Sequence, residues 1–447
     1  MTQPSRMIRL GFSMRGLGYH ASAWLDPDVP ADGGMRLDYY RDMARTAERG
    51  LFDLVFLADQ TAMRMSDTPP GVLGRTPTGA ELEPLTLIAA LSQHTSRIGL
   101  AATASSTFHQ PYQLARQFAS IDHLSGGRVA WNVVTSSRDE EARNFGSNTI
   151  MAKETRYERA REALEVVFGL WESWEPDAFP RDKATGVFFD PKKMHPIRHE
   201  GPHFKVHGPL TMPRTPQGRP VIIQAGASGD GMDFAASAAD LVYAAQNTLP
   251  DARQFYASLK ERVGRFDRDP ASVKIMPGIL PVIGETQQAA DDLYGHMQEE
   301  MDPMIGLENL GPYFGDLSAY PLDGPVPELR TDRPVISRGQ MILNIARRNG
   351  WTIRQTFQSL AIGNAHHVVI GTPARIVDVM EEWYDGGAAD GFNVLPAKSP
   401  RDLSRFVDLV VPEMQRRGIY RAAYEGRTLR ENLGLPAVPP RHGGATS

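Results

Sequence analysis

"AWNVVTSSRDEEARNFG", residues 130–146, decides how this chain is read. It opens as a buried strand: Ala130, Trp131, Val133 and Val134 are apolar, and valine is a good strand former. Asn132 interrupts the apolar run, and Thr135, Ser136 and Ser137 close it just before a burst of charge. A core strand that carries an amide inward and ends in hydroxyls has something polar to face beyond its end.

The same pattern repeats outward in both directions. "MIRLGFSM" (7–14), "FDLVFLAD" (52–59) and "RIGLAATASST" (97–107) read as strands before it. "RPVIIQAGAS" (219–228), "ADLVYAA" (239–245), "VKIMPGILPVIG" (273–284) and "DGFNVLPA" (390–397) read as strands after it. Between them lie helical segments such as "LDYYRDMARTAERG" (37–50) and "KETRYERAREALEVVFGLWESW" (153–174), where Leu164, Val167, Phe168 and Trp171 share one face. "GTPARIVDVMEEWYDGG" (371–387) is a helix with Thr372 placed to cap it and Pro373 at its first position. Eight apolar strands alternating with helices predict an α/β fold, the (β/α)8 TIM barrel. A doubly wound open sheet is the alternative, but no G-x-G-x-x-G follows the first strand. The barrel is expected over 1–400. Pro- and Gly-rich insertions at about 61–82, 176–218 and 302–337 are expected to hang over the catalytic face, and 401–447 should form a C-terminal helix and an extended arm.

Composition narrows the function classes. The 447 residues carry a formal net charge of −5 and no cysteine. Disulfides, thiolate metal sites and cysteine nucleophiles are thereby excluded. No basic stripe suggests nucleic acid, no apolar run reaches membrane-spanning length, and the N-terminus has no apolar secretory core. A cytoplasmic protein is expected. His195, His199, His203 and His207 fall among prolines at irregular spacing, so no metal site is expected.

In such a barrel the site lies at the C-terminal strand ends. Those ends carry Asp59; Thr103, Ser105 and Ser106; Thr135, Ser136 and Ser137 with Asn132 inward; and Gln224 before "AGASGDG" (225–231). That turn opens a helix, whose free N–H groups at Ser228 and Gly229 suit an anion. Arg156 and Tyr157 begin the helix after strand four. Each Ser or Thr alone is more often a cap or turn former. Clustered on one face, they suit a phosphate monoester with a flat, polar-edged ring, and flavin mononucleotide (FMN) fits.

The stretch 130–146 resembles the signature of flavin-dependent monooxygenases related to nitrilotriacetate monooxygenase, within the bacterial-luciferase-like superfamily. "FDLVFLAD" (52–59), "ETRYERA" (154–160), "IIQAGASGDG" (222–231) and the tail "FVDLVVPEMQRRGIYRAAYEGRTLRENLGLP" (406–436) agree. The resemblance implies a two-component enzyme that receives reduced FMN from a separate NAD(P)H:flavin reductase. Dioxygen would add to give a C4a-(hydro)peroxyflavin, which oxygenates a small organic substrate. Barrels of this superfamily often form homo-oligomers. By motif, flavin contacts fall on Asp59, Thr103, Ser105, Asn132, Ser136, Ser137, Arg156, Tyr157, Ser228 and Gly229. Lys153 stands where relatives commonly have histidine, and it can still approach a phosphate. Leu25 stands where arginine often follows the tryptophan. His20, Trp24, Phe108 and His109 are expected around the ring, with His20, Trp24 and His109 as the catalytic candidates. The alternatives are a flavin or deazaflavin hydride-transfer enzyme and a non-catalytic flavin-binding protein of the same fold. No clear Arg/Lys cluster stands outside the phosphate site, though Arg64, Arg75 and Arg338 lie in the candidate lids. That leans away from polycarboxylates, toward a moderately apolar sulfur- or nitrogen-bearing compound.

Overall fold

A computed structural model describes residues 7–226, 228–330, 337–362 and 366–442. Eight parallel strands close on themselves: β1 Arg9–Ser13, β2 Leu54–Leu57, β3 Gly99–Ser105, β4 Val129–Val134, β5 Val221–Gln224, β6 Leu241–Ala244, β7 Lys274–Ile283 and β8 Gly391–Val394. β8 pairs back onto β1, with Arg9 opposite Gly391, so the barrel has no open edge there.

Alternation of side chains sorts each strand into an inner and an outer face. On β4, Trp131 and Val133 face outward into the layer between strands and helices. The Trp131 ring lies 5.3 Å from Phe118 of helix Pro111–Ser125, and its indole N–H donates to the Ala104 carbonyl. Ala130 faces inward, with Leu54, Phe56, Ala101, Ile223, Tyr243 and Met276. Asn132 shares that inner face two residues on and stands opposite Thr103 of β3.

Pro277 and Gly278 predict an interruption of the strand at 273–284, but the strand is continuous through both. It changes partners there: residues up to Pro277 pair with β6, Gly278 and Ile279 pair with β8, and Ile279 to Ile283 pair with an additional strand, His367–Gly371. A proline that cannot donate falls where one ladder hands over to the next. The additional strand leads into helix Pro373–Asp385, whose Thr372 hydroxyl accepts from the Arg375 N–H as its cap.

The segments between these elements are partly ordered. Residues 61–82 hold two single turns, Leu73–Arg75 and Pro77–Gly79. Residues 176–218 hold a small hairpin, His199–Glu200 with Lys205–Val206. The start of 302–337 is a helix, Pro303–Phe314, rather than the loop its prolines and glycines predict. Asp302 caps that helix and also pairs with Arg75 at 2.8 Å, tying it to the first segment.

The chain after 401 begins with a helix through Arg416, widened at Phe406–Val410, and ends across the N-terminal mouth of the barrel. Leu429, Leu433 and Leu435 pack onto the inner residues of the strands. Arg421 pairs with Asp53 just before β2, and Arg430 pairs with Asp240 just before β6 at 2.9 Å. With that end plugged, the barrel is open only at the ends of its strands.

Candidate functional site

At the C-terminal ends of the strands, Asn132 donates its amide N–H to the Thr103 hydroxyl at 2.9 Å, and Thr103 donates on to the Leu57 carbonyl at 2.9 Å. The Asn132 Oδ1 atom is buried and has no hydrogen-bond partner among the described residues. A buried amide oxygen left unpaired is costly, so this atom is free to accept from a ligand.

Just beyond β4 the chain turns sharply. Ser136 sits at φ +50°, in the left-handed region that non-glycine residues seldom occupy. Three contacts hold it there. The Ser105 and Ser136 hydroxyls lie 3.0 Å apart, Arg156 donates through Nη1 to the Ser136 carbonyl, and Glu141 receives the Ser136 hydroxyl and the Ser137 and Arg138 N–H groups. Glu141 also receives Thr61 from the first segment at 3.1 Å. The charged half of the opening stretch therefore holds the hydroxyl half in place. Sequence reading missed Glu141; the only signal was its spacing three residues after Arg138, as in a capping box, and the capping position is not Ser or Thr.

The helices that follow β4 and β5 bring their first turns to the same place. Lys153 reaches Asp230 at 2.6 Å, and its ammonium lies 5.9 Å from the Tyr157 ring centre. A Cβ on Gly231 would stand 3.1 Å from the Tyr157 hydroxyl. Ser228 caps helix Gly229–Ala238 by accepting from the Gly231 N–H. Gly226 and Gly231 cross so closely that a Cβ on Gly226 would lie 2.9 Å from the Gly231 Cα. That crossing admits no larger residue at Gly226. Arg156 Nε is buried without a partner among the described residues. Ser136, Ser137, Lys153, Arg156, Tyr157, Ser228 and Gly229, separated by up to about ninety positions in sequence, thus converge on one cationic, N–H-rich cradle.

Two adjoining cavities open beside it. One, of about 540 Å³, is walled by Asp59, Gln60, Thr103, His109 and Phe145. The other, of about 440 Å³, is walled by Arg15, His20, Trp24, Arg64, Glu81 and Ile305. Gln60, Gly79 and Glu81 line both. Burial raises the Asp59 carboxyl above its usual range. His20 has both ring nitrogens engaged, Nδ1 with the Ser22 N–H and Nε2 with the Met297 carbonyl, and burial lowers its imidazole. It is a neutral wall of the cavity at pH 7. His109 Nδ1 bonds the Ser105 carbonyl, and Phe108 stacks on Phe145 at 4.5 Å. The Trp24 indole N–H is buried without a partner among the described residues. Arg75 is tied to Asp302, and the Arg338 side chain lies outside the described residues.

Elsewhere, His195 bonds Glu175 at 2.9 Å and His199 bonds Glu162 at 3.0 Å, so these two histidines have separate acidic partners. Among the described residues no helix is long and apolar enough to cross a membrane, and no group of His, Asp and Glu could hold a metal ion.

The chain is similar to known proteins along nearly its whole length. The family model "Luciferase-like monooxygenase" matches residues 17–390. The chain is 49% identical over 439 residues to N-acetyl-S-(2-succino)cysteine monooxygenase of Bacillus subtilis (strain 168), covering 97% of this chain and 98% of that one. It is 42% identical to nitrilotriacetate monooxygenase component A of Aminobacter aminovorans, covering 96% and 97%. A crystal structure of riboflavin lyase with modified FMN and riboflavin superposes with a TM-score of 0.82 at 32% identity, covering 96% of each chain.

Proposed function

This chain belongs to the luciferase-like monooxygenase family, and on that premise we propose that it uses reduced FMN, delivered by a separate NAD(P)H:flavin reductase, to oxygenate a small organic molecule. That it is a flavin-dependent monooxygenase of the two-component type follows from its relatives. The proposal concerns the form of the flavin, its seat and the substrate.

The observation that carries the seat is the convergence of Arg156, Lys153, Tyr157, Ser136 and the Ser228 helix start on one cradle, a few residues beyond the unpaired Asn132 oxygen. A phosphate dianion suits the cradle, and a ring N–H suits Asn132. When bound, reduced FMN would supply the two electrons that activate dioxygen, one oxygen atom of which goes to the substrate while the other leaves as water. The chain's residues bind, orient and exclude water. Ser136, Ser137, Arg156, Ser228 and Gly229 would hold the FMN phosphate. Thr103, Ser105 and Asn132 line the strand ends and, with Asp59, would face the flavin. Trp24, His20 and His109 wall the cavities where substrate meets it.

The substrate proposed here is a small molecule whose sulfur or nitrogen carries carboxylated arms, the class to which both relatives' named substrates belong. It is tested by supplying the purified chain with NADH, a flavin reductase, FMN and dioxygen, and weighing the products. N-acetyl-S-(2-succino)cysteine should gain one oxygen atom only when reductase and dioxygen are both present. Turnover without dioxygen would instead mark a hydride-transfer enzyme.

Asn132→Leu gives a second expected outcome. The volume is close, and Thr103 keeps its bond to Leu57, so the fold and melting temperature should hold. Loss of one hydrogen bond of about 0.5–1.5 kcal/mol should weaken reduced-FMN binding by roughly 3- to 10-fold. Anaerobic titration reads it, and wild-type affinity would remove Asn132 from the seat.

A further inference from the structure

Within the 440 Å³ cavity, three arginines differ in what they are doing. Arg75 is spent on Asp302 at 2.8 Å. Arg15 and Arg64 make no ion pair within 4 Å among the described residues, although both line the cavity. Arg15 lies two residues beyond the end of β1, on the catalytic face, with its guanidinium 5.5 Å from the Tyr19 ring centre. The Tyr19 hydroxyl is itself bonded to Ser13, which fixes the ring under the guanidinium. A guanidinium held over an aromatic ring in this way keeps its donors available to a ligand.

Resting on the monooxygenase reading above, we propose that Arg15 and Arg64 are specificity-determining residues that bind carboxylates of the substrate, Arg15 at the inner end of the cavity and Arg64 toward its exposed rim. A guanidinium with no carboxylate in direct contact among the described residues, in a partly closed cavity, is matched best by a carboxylate, which accepts two parallel hydrogen bonds from the fork. Trp24, Ile305 and Leu360 supply the apolar wall for the substrate's body.

Acidic groups also face this space. Glu81 neighbours Arg15, Glu308 neighbours Arg64, and Asp32 is engaged by Arg36 at 3.5 Å. Burial raises both glutamates above the usual carboxylate range, and the neighbouring arginine opposes that rise in each case.

The experiment compares two probes, N-acetyl-S-(2-succino)cysteine and its trimethyl ester, on wild type, Arg15→Gln, Arg15→Lys and Arg64→Gln. Binding is measured by calorimetry without flavin, and oxygenation by product mass under reduced FMN and dioxygen. Wild type should bind and turn over the acid at least tenfold better than the ester. Arg15→Gln should raise KM for the acid roughly 10- to 100-fold, consistent with loss of a charge-assisted bidentate contact, with kcat and FMN affinity close to wild type. Arg15→Lys should recover part of the binding, because charge remains while the fork is lost. Arg64→Gln should show a smaller rise. Equal binding of acid and ester, or variants that bind the acid as wild type does, would overturn the proposal. Absence of oxygen transfer to either probe, with acid binding still lost in Arg15→Gln, would sink the reading of function and leave the arginine assignment standing.

Discussion

Replacing Arg156 with alanine should weaken FMN binding by roughly 10- to 100-fold, since a hydrogen bond to a charged group is worth about 1.5–3 kcal/mol. Arg156 is placed to act twice, once through Nη1 on the Ser136 carbonyl and once through the buried, unpaired Nε. Loss of affinity alone would not separate contact with phosphate from collapse of the Ser136 turn. Riboflavin, which lacks the phosphate, separates them. If Arg156 touches phosphate, the variant binds riboflavin as wild type does and loses only its preference for FMN. If the turn collapses, both flavins lose affinity together. Lys153→Ala should cost less, because that side chain is 42% exposed and its ammonium is already paired with Asp230. Its contribution should fade with added salt, while the contribution of the more enclosed Arg156 persists. FMN binding to Arg156→Ala at wild-type strength would move the phosphate elsewhere.

The two halves of the site differed in how far sequence alone exposed them. All eight barrel strands were legible because each is a short apolar run bounded by turn residues, and that pattern survives without tertiary knowledge. The cradle was legible for a related reason. Barrel topology dictates that strand ends share one face, so Ser136, Arg156 and Ser228 could be put together before any distance was known. Helix Pro303–Phe314 was not legible. Its Gly306, Gly311 and Pro312 argue for a loop, and packing overrides them: Gly306 lies so tight against Phe357 that a Cβ would stand 2.4 Å from the ring. Strand His367–Gly371 was hidden because its short run abuts a strong helix cap at Thr372. Glu141 and Arg15 were hidden for deeper reasons. Glu141 acts through backbone groups of a turn, which leave no mark on residue type. Arg15 stands out because it makes no ion pair among the described residues, and that is a property of the fold alone.

Asp240→Ala should destabilise the protein by about 3–5 kcal/mol, the usual cost of stranding one member of a buried ion pair. Asp240 is 3% exposed and receives Arg430 through both terminal nitrogens, at 2.9 and 3.2 Å, together with the Ile222 N–H at 3.0 Å. The single carboxylate therefore joins the C-terminal tail to β5 and β6 at the closed mouth of the barrel. Alanine would leave the Arg430 guanidinium and a strand N–H unanswered in the interior. Urea unfolding should show the loss, with activity per folded molecule unchanged because the pair lies at the end of the barrel remote from the cradle. The double replacement Asp240→Leu with Arg430→Met should recover much of it, since no buried charge then remains. The pH dependence has a definite sign. Burial alone would raise the Asp240 carboxyl, but Arg430, and after it Arg219, outweigh burial and hold it below the usual carboxylate range. A depressed carboxyl stabilises fully above the unfolded value of about 3.9 and loses that contribution as pH falls through the folded one. Wild type should lose stability below about pH 4 more steeply than Asp240→Asn, which has no proton to take up at that position. Parallel acid limbs for the two proteins would show that Asp240 is not charged in the fold, and the tail would then be held by its leucines.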